Sequence, residues 1–431
     1  MTYEEAISYI YSRRKFQKSS GHERIEKLLE LMGNPQKKLR FVHVVGTNGK
    51  GSVSTALAQV LTRSGYKTGL FTSPFVIEFG ERIKVDGEFI PKEEICRITE
   101  IIKEKTELME KLELYPTVFE VTTALGIAYF HKCGCDIVVL EAGIGGKKDS
   151  TNVIDCPEAA IITSVSLDHT EMLGDTVAEI TKEKCGIIKN SCPMVSYPFD
   201  GAELGFIPQS DEAARVISEC CKNEGSTLYL PDIKKVTVIK SDLFGTNFSY
   251  DGLDIRLTLP GKHQIGNMLT VITAGRVLRE RGYSITDSAI EEGIARFTIP
   301  GRTQVIEGEP MVILDGGHNT GCMKALQNTV KEYLSGRKIT LLMSFMKDKD
   351  YEEAISIIAP LCDSIIFTVT DSVRGERPDI LKAIAEKYCT DVYEIPDPEK
   401  AFSFAKMKAE KDVLIVSGSF YLVSEVRKFL S

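Results

Sequence analysis

The sequence has 431 residues, of which 43% are hydrophobic and 26% charged, and it carries a net charge of −8 at neutral pH. This composition is typical of a globular protein, and the length favours two domains over one, with three as the alternative. The negative charge argues against nucleic acid or an anionic membrane as the main partner, because both reward clustered Lys and Arg. We therefore expect small-molecule substrates.

The N-terminal segment, MTYEEAISYIYSRRKF, carries acidic residues early and lacks the apolar centre of a signal peptide. No run approaches the roughly 18 apolar residues that a membrane span needs. From these features we expect a cytoplasmic protein with no membrane partner. The eleven cysteines are scattered without a C-x-x-C pair, which favours reduced structural thiols over disulfides or a metal site.

Short apolar segments alternate with helical stretches from about residue 41 to residue 197. This alternation predicts a doubly wound, mostly parallel α/β sheet with ligands at the C-terminal ends of its strands. The predicted strands are FVHVVG, KTGLFT, DIVVLEAG, AAIITSV and CPMVSY. Residues 226–259 then change to TLYL, KKVTVIK, GTNFSYDG and LDIRLTL, which we interpret as hairpin strands of a small antiparallel appendage to the first domain.

The pattern pauses at Pro300 and Gly301, and a second alternating series follows. Its predicted strands are MVILDGG, KITLLMSF, SIIFTVT, DVYEIPD and DVLIVSGS. Five strands separated by helices predict a small Rossmann-like α/β domain. We therefore predict a first domain over residues 1–298 and a second over residues 299–431.

The segment FVHVVGTNGKGSV contains a Gly-Lys pair at a predicted strand-to-helix junction. The common phosphate-binding loop, G-x-x-x-x-G-K-[ST], would need Gly and Ser or Thr where this chain has Val44 and Gly51. Gly46, Gly49 and Gly51 nevertheless allow backbone N–H groups and a helix N-terminus to converge on an anion, and Lys50 can reach terminal phosphates. An ordinary glycine-rich turn is the alternative, but the strand-to-helix position favours nucleotide phosphate.

Polar residues follow other predicted strands of the first domain. Glu141 ends a buried strand, where P-loop enzymes keep an acid that holds Mg²⁺. Asp168 and His169 come just after the next strand; a lone His is more often structural, but the shared sheet edge favours a role in the site. Lys184 lies in the charged segment EITKEKCGIIK, for which the residues alone favour a solvated amphipathic helix.

In the second domain, ILDGGHNTG ends the first strand with Asp315 and His318. A glycine-rich strand end again indicates a ligand site. Arg302, in the PGR segment, is either a phosphate clamp or an exposed linker residue, and the residues alone leave both open.

In chain order, the motifs GTNGKGS, TSP, ERI, EAGIGG, LDH, EKCGIIK, GKHQIGN, PGR, LDGGHN, KDKD and SGSFYL resemble those of the Mur ligase superfamily, and within it the folylpolyglutamate synthase/dihydrofolate synthase family. Each motif is weak by itself, but the ordered set covers nearly the whole chain and is specific. The resemblance implies an ATP-dependent amide ligase that activates a carboxylate as an acyl phosphate for attack by an amine. It implies ATP and one or two Mg²⁺ ions as cofactors, folate or dihydropteroate and L-glutamate as substrates, and a monomer.

The resemblance also implies roles for individual residues. Lys184 matches a lysine that the family carbamylates to make an anionic metal-binding group, which replaces the amphipathic-helix interpretation. Lys50, His169 and Lys184 are thus the implied catalytic residues, and Ser73, Glu141 and His169 the implied metal ligands. The second domain becomes the implied glutamate-binding domain. The implied nucleotide- and substrate-binding set is Gly46, Thr47, Asn48, Gly49, Lys50, Gly51, Ser52, Asn267, Arg302, Asp315 and His318.

Four positions depart from the family motifs. Phe75 replaces the His of SPH, Lys147 the Arg of GGR, and Gln304 the Glu of PGR-x-E, while DGGHNT stands for DGAHNP. These changes leave the ATP motifs intact and concern the identity of the acceptor. The leading hypothesis is addition of L-glutamate to the γ-carboxylate of a folate; the alternatives are a Mur-type ligase for another acid and amino acid, a P-loop small-molecule kinase, and a non-catalytic nucleotide-binding module.

Overall fold

The computed structural model describes residues 1–14, 21–370 and 374–430. The chain divides into two compact units, each an α/β structure, and this confirms the predicted fold class. Unit 1 comprises Met1–Asp200, Pro208–Ile233 and Asn267–Phe297, and unit 2 comprises Gly201–Ile207, Lys234–Gly266 and Thr298–Ser431. Each unit consists of three stretches of the chain, and the stretches of the two units alternate in sequence. The division into a first domain over residues 1–298 and a second over residues 299–431 stays a prediction.

Unit 1 is built on an eight-stranded sheet of the described residues, with the strand order β4-β3-β2-β5-β1-β6-β7-β8. Its strands are β1 (Phe41–Val45), β2 (Thr68–Phe71), β3 (Ile83–Val85), β4 (Glu88–Phe89), β5 (Ile137–Glu141), β6 (Ala159–Ile162), β7 (Met194–Ser196) and β8 (Leu228–Tyr229). The six strands from β2 to β8 in that order pair in parallel, and β3 and β4 add an antiparallel edge.

The five strands predicted for this sheet are confirmed, and one strand prediction is wrong. The segment TLYL, predicted as a hairpin strand, forms β8, which pairs in parallel with β7. The central strand β1 lies between β5 and β6, so the segments that follow these three strands leave the sheet at the same edge.

Unit 2 contains two sheets. A three-stranded antiparallel sheet consists of β9 (Val236–Asp242), β10 (Gly245–Tyr250) and β11 (Leu253–Leu257). These are the predicted hairpin strands, and they belong to unit 2, whereas the sequence pattern places them with the first domain.

The second sheet of unit 2 has the order β12-β13-β17-β14-β15-β16. Its strands are β12 (Gln304–Ile306), β13 (Met311–Leu314), β14 (Ile339–Met343), β15 (Ser364–Phe367), β16 (Val392–Glu394) and β17 (Val413–Ser417). The five predicted strands pair in parallel and are confirmed, whereas the antiparallel edge strand β12 was not predicted.

Of the described helices, two precede β1 in the sequence, one follows β17, and the others lie between strands. They are α1 (Tyr3–Ser12), α2 (Glu23–Leu31), α3 (Lys50–Arg63), α4 (Lys92–Glu110), α5 (Val118–Cys133), α6 (Thr170–Leu173), α7 (Val177–Cys185), α8 (Asp211–Asn223), α9 (His263–Glu280), α10 (Asp287–Arg296), α11 (Thr320–Tyr333), α12 (Tyr351–Ile358), α13 (Pro378–Ala385), α14 (Pro398–Ala409) and α15 (Phe420–Lys428). Within the described residues, none of them combines the length and the apolar character that crossing a bilayer requires.

Helix α7 carries Lys184, and its position is fixed at both ends. It begins with a capping box in which Thr176 and Glu179 bond each other's backbone N–H groups. Ile180 and Cys185 of this helix join an apolar cluster that includes residues of β1 and β6. Full burial of a side chain such as Ile180 contributes about 1.5–3 kcal/mol, so α7 is held firmly against the sheet.

Candidate active site

The loop between β1 and α3 is tightly packed at two glycines. Gly46 and Gly49 have φ angles of 152° and 87°. A Cβ at Gly46 would lie 1.8 Å from Thr163 Oγ1, and one at Gly49 would lie 2.4 Å from Asn267 Oδ1. Any side chain at either position would therefore displace a neighbouring polar group, and the loop requires glycine there.

The same loop leads directly into the N-terminus of α3. Gly49 precedes the helix and has no side chain to cap it, while Gly51 and the buried Ser52 lie in the first turn. Helix N-termini carry partial positive charge and present N–H groups, so they bind anions such as phosphate. Asn267, 4% exposed, packs on Gly49 beside this N-terminus.

Residues 163–166, which follow β6 and which we call the clamp segment, hold the loop in place. The Thr47 N–H donates to Ser164 O at 2.8 Å, and Thr163 Oγ1 donates to Asn48 O at 2.7 Å. Thr47 Oγ1 also donates to Ser166 O at 3.0 Å. The loop conformation is thus set by the protein itself, which avoids reorganisation when an anion binds.

Two lysine amino groups meet at one carbonyl oxygen of the loop. Lys50 Nζ donates to Gly46 O at 3.0 Å and to Thr47 O at 3.2 Å, and Lys184 Nζ donates to Gly46 O at 2.8 Å. Lys184 is 3% exposed, so the interpretation of its helix as a solvated one is wrong for this residue. Burial, with the nearby charge of Lys50, lowers the pKa of Lys184 to about 7.

The glycine-rich loop after β5 fixes the C-terminal end of α7. The Lys147 N–H donates to Glu183 O at 2.8 Å, and the Lys148 N–H donates to Glu183 Oε1 at 3.0 Å. A Cβ at Gly146 would lie 2.6 Å from Lys184 O. This close packing helps to place the Lys184 amino group at the loop between β1 and α3.

The structure brings together two of the three residues implied as metal ligands. Glu141, the last residue of β5, is 2% exposed, and its Oε2 accepts a hydrogen bond from the Ser73 N–H at 3.4 Å. His169 has a left-handed backbone with a φ of 52°, and its N–H donates to Asp168 Oδ1 at 2.9 Å. Over the described ranges, no three His, Cys, Asp or Glu side chains form a metal-binding group, so the implied ligand set stays a prediction.

The residues implied from the second domain lie in unit 2, so the implied nucleotide-binding set is divided between the two units. Asp315 follows β13, and its Oδ2 accepts from the Thr303 N–H at 2.9 Å and from Thr303 Oγ1 at 2.8 Å. Its Oδ1 accepts from the Gly317 N–H at 2.8 Å. Asp315 therefore fastens the glycine-rich strand end to the segment that carries Arg302.

Arg302 and His318 share an aromatic neighbour, Phe420. The Arg302 guanidinium lies 4.5 Å from the centre of the Phe420 ring, and the His318 ring lies 6.2 Å from it. His318 Nδ1 donates to Gly316 O at 2.9 Å. His263 is near Arg302 and Asp315, and burial lowers its pKa to about 4, so it is neutral at physiological pH.

Sequence reasoning missed the clamp segment and a buried polar chain. His43 Nε2 lies 2.8 Å from Thr151 Oγ1, which in turn donates to Asp149 Oδ1 at 2.6 Å. Burial lowers the pKa of His43 to about 3 and raises that of Asp149. The hydroxyl-rich run TSVS after β6 was the available signal for the clamp segment, whereas a lone His inside a strand gave no such signal.

Comparison with known proteins relates this site to a family. Residues 44–275 match the Mur ligase middle domain, and residues 301–420 match the glutamate ligase domain of Mur ligases. The chain is 33% identical over 438 residues to dihydrofolate synthase/folylpolyglutamate synthase of Bacillus subtilis, with 99% of each chain covered. It is 32% identical over 441 residues to folylpolyglutamate synthase of Lacticaseibacillus casei, covering 100% of this chain and 99% of the relative.

A solved structure shows the same similarity. Folylpolyglutamate synthase of Mycobacterium tuberculosis, complexed with ADP, superposes with a TM-score of 0.88 at 26% identity. The superposition covers 100% of this chain and 98% of that one.

Proposed function

This chain belongs to the Mur ligase family, in its folylpolyglutamate synthase/dihydrofolate synthase group of ATP-dependent glutamate ligases, and we propose that it adds L-glutamate to the γ-carboxylate of a folate through an acyl phosphate, with dihydropteroate as a second acceptor. The observation that carries this proposal is the meeting of the Lys50 and Lys184 amino groups at Gly46 O, in the loop that leads into α3. ATP is the proposed nucleotide of this loop.

In the proposed reaction, an acceptor carboxylate oxygen attacks the γ-phosphorus of ATP, and ADP leaves. The amine of L-glutamate then attacks the acyl carbon, and phosphate leaves with the oxygen that came from the carboxylate. A carboxylate about 4 Å from a phosphate oxygen is repelled by about 4 kcal/mol at an effective dielectric constant near 20. Left uncompensated, that repulsion costs about a thousandfold in rate, so the site must supply positive charge.

Lys50 supplies this charge from the chain itself. Its ammonium is held by two loop carbonyls, Gly46 O and Thr47 O, beside the N-terminus of α3. Fixed positive groups of this kind stabilise developing charge without reorganisation. In our proposal Lys50 and the helix N-terminus orient the terminal phosphates, Asn267 and Arg302 bind the nucleotide, and Asp315 and His318 serve the nucleotide and glutamate side.

The residues also fit one or two Mg²⁺ ions, because oxygen ligands suit this ion and the Glu141 carboxylate is buried next to Ser73. In the proposal Ser73, Glu141 and His169 hold the metal, which would neutralise phosphate charge when bound. A pKa of about 7 leaves a large share of Lys184 as the neutral amine. That amine can attack CO₂ and lose one proton, giving a carbamate that adds a further anionic ligand.

The departures from the family motifs bear on acceptor choice to different degrees. Gln304 Oε1 accepts a hydrogen bond from Arg427 Nη1 at 2.7 Å, and the Lys147 backbone binds α7, so both have structural contacts. Phe75 also has structural contacts, because it packs against the apolar cluster of unit 1 and its ring lies 5.2 Å from the Arg82 guanidinium. We propose that Phe75 affects the acceptor most directly, because it places an apolar ring two residues after Ser73, where the family motif has a polar one.

The test is ADP release with Mg-ATP, L-glutamate and either dihydropteroate or tetrahydrofolate, with each component omitted in turn and the products weighed by mass spectrometry. We expect continued ADP release to require both an acceptor and L-glutamate, and the acceptor to gain one glutamyl unit. A stable phosphorylated acceptor formed without any amine would indicate a kinase. No release with either acceptor would favour a ligase for another acid. The cytoplasmic location and the monomeric state remain predictions.

A further inference from the structure

Gln209 lies far from the phosphate-binding loop in sequence, yet its side chain binds the segment that holds the loop. It is 3% exposed. Its Nε2 donates to Thr163 O at 2.8 Å, and its Oε1 accepts from the Val165 N–H at 2.9 Å. The backbone of Gln209 is itself fixed, because its N–H donates to Pro198 O at 2.9 Å.

The position of these bonds explains why an amide is needed. Strand β6 pairs with β7 only as far as Ile162, where Tyr197 N–H donates to Ile162 O at 2.8 Å. Beyond that point the clamp segment leaves the sheet, and its buried backbone groups require other partners. The side chain of Gln209 offers one donor and one acceptor at the spacing of a neighbouring strand, so it continues the ladder across Thr163 and Val165.

The clamp segment transmits this support to the loop. Thr163 Oγ1 donates to Asn48 O at 2.7 Å and to Val45 O at 3.2 Å, while Ser164 O accepts from the N–H groups of Thr47 and Asn48 at 2.8 and 3.3 Å. Without Gln209 the buried carbonyl of Thr163 and the N–H of Val165 would lose these partners, and an unpaired buried polar group is costly. The clamp segment would then be free to shift, and the loop with it.

We propose that Gln209 is a positioning residue for ATP, which sets the conformation of the phosphate-binding loop through the clamp segment without touching the nucleotide. This inference rests on the proposed function of the loop. It predicts that the loss of Gln209 weakens nucleotide binding selectively, because residues 301–420, which match the glutamate ligase domain, lie in unit 2 and the loop lies in unit 1.

The main experiment compares Gln209→Leu with Gln36→Leu, a matched control. Gln36 is also a buried amide of unit 1, 7% exposed, but its Nε2 donates to Asn34 Oδ1 at 3.3 Å within its own turn, outside the clamp segment. We expect Gln209→Leu to raise the KM for ATP and the Kd for ADP by about tenfold or more, an effect of the size of one or two hydrogen bonds. The KM for L-glutamate should change less than about twofold in both variants, and Gln36→Leu should leave the Kd for ADP within the same limit.

A second variant keeps the test decisive if Gln209→Leu does not fold. Gln209→Glu keeps an acceptor for the Val165 N–H and loses the donor to Thr163 O, so the Kd for ADP should rise here too.

The double variant Gln209→Glu with Thr163→Val tests whether Gln209 acts on the loop through the clamp segment. If Gln209 acts through the clamp segment, the combined loss of ADP affinity should be smaller than the product of the two separate losses.

Two results would overturn the inference: an unchanged Kd for ADP in a folded Gln209 variant, or separate losses that multiply in the double variant. Calorimetric ADP binding needs no turnover. Its outcome therefore stands apart from the proposed function, which the glutamate-dependent release of ADP by the unmodified enzyme tests.

Discussion

Lys184 is a buried amine whose position follows from several weak features of the chain. Its helix is capped by Thr176, packed through Ile180 and held at its end by the loop that contains Gly146. Burial of an ammonium is expensive, which is why the pKa of Lys184 falls to about 7. The charge of the neighbouring Lys50 adds to this effect and lowers the pKa of Lys184 further.

Replacement of Lys184 tests its proposed role as a carbamate. We expect Lys184→Ala to lower kcat by about a hundredfold or more, because an anionic metal ligand would be lost. Acetate or another short carboxylate should restore part of the activity. Lys182→Ala is the matched control on the same helix, since Lys182 is exposed, and its kcat should stay within about twofold. Unchanged turnover in Lys184→Ala would exclude the proposed role.

At the scale of the element, α3 is the helix whose N-terminus we propose as the phosphate-binding group. The strand β1 delivers the chain to the sheet edge, and Gly46 and Gly49 turn it sharply enough for α3 to begin at Lys50. The clamp segment then fixes this turn from the side. The proposed phosphate site therefore depends on strand, loop and helix together.

A pair of glycine substitutions at the two ends of α3 separates backbone strain from damage to the site. Gly49 and Gly65 both have a φ of 87°, but a Cβ at Gly65 would meet no atom within 4 Å, whereas one at Gly49 would lie 2.4 Å from Asn267 Oδ1. Both Ala variants should lose about 1 kcal/mol or more of unfolding free energy. Only Gly49→Ala should also raise the KM for ATP, by about tenfold or more. Equal KM values in the two variants would contradict the assigned role of Gly49 and Asn267.

The sequence predicted those elements whose signal is local. The buried runs FVHVV and IVVLE predicted β1 and β5, and the Gly-Lys pair predicted the loop at which β1 gives way to α3. Strands β3, β4 and β12 have two or three residues each, which is too short to show an alternation of apolar and polar residues. TLYL was assigned to a hairpin because its true partner, β7, is distant in sequence.

The parts of the site that sequence could not show are those that depend on strand order. The contact of Lys184 with Gly46 O joins residues 138 positions apart, and it needs α7 to pack beside β1. Gln209 reaches the loop only through the clamp segment, two steps of hydrogen bonding away. The family motifs implied a role for Lys184 that its own segment did not indicate. Nothing in the sequence indicated a role for Gln209.

At the scale of the whole molecule, the two units divide the implied binding residues. Unit 1 holds the loop, Lys184, Glu141 and Asn267, and unit 2 holds Arg302, Asp315 and His318. Family models match both parts of the chain, the Mur ligase middle domain and the glutamate ligase domain. A ligase of this family joins an acid to an amine at the expense of ATP, so all three should be consumed together.

The measurement that tests this account most directly follows oxygen from the acceptor to phosphate. The acceptor is prepared with ¹⁸O in the carboxylate that receives L-glutamate, and the phosphate released during turnover is analysed by mass spectrometry. If the carboxylate attacks the γ-phosphorus and the amine then displaces phosphate, each phosphate should contain one ¹⁸O atom. Phosphate without ¹⁸O, formed together with the glutamylated product, would contradict the acyl phosphate and the role of the loop in making it.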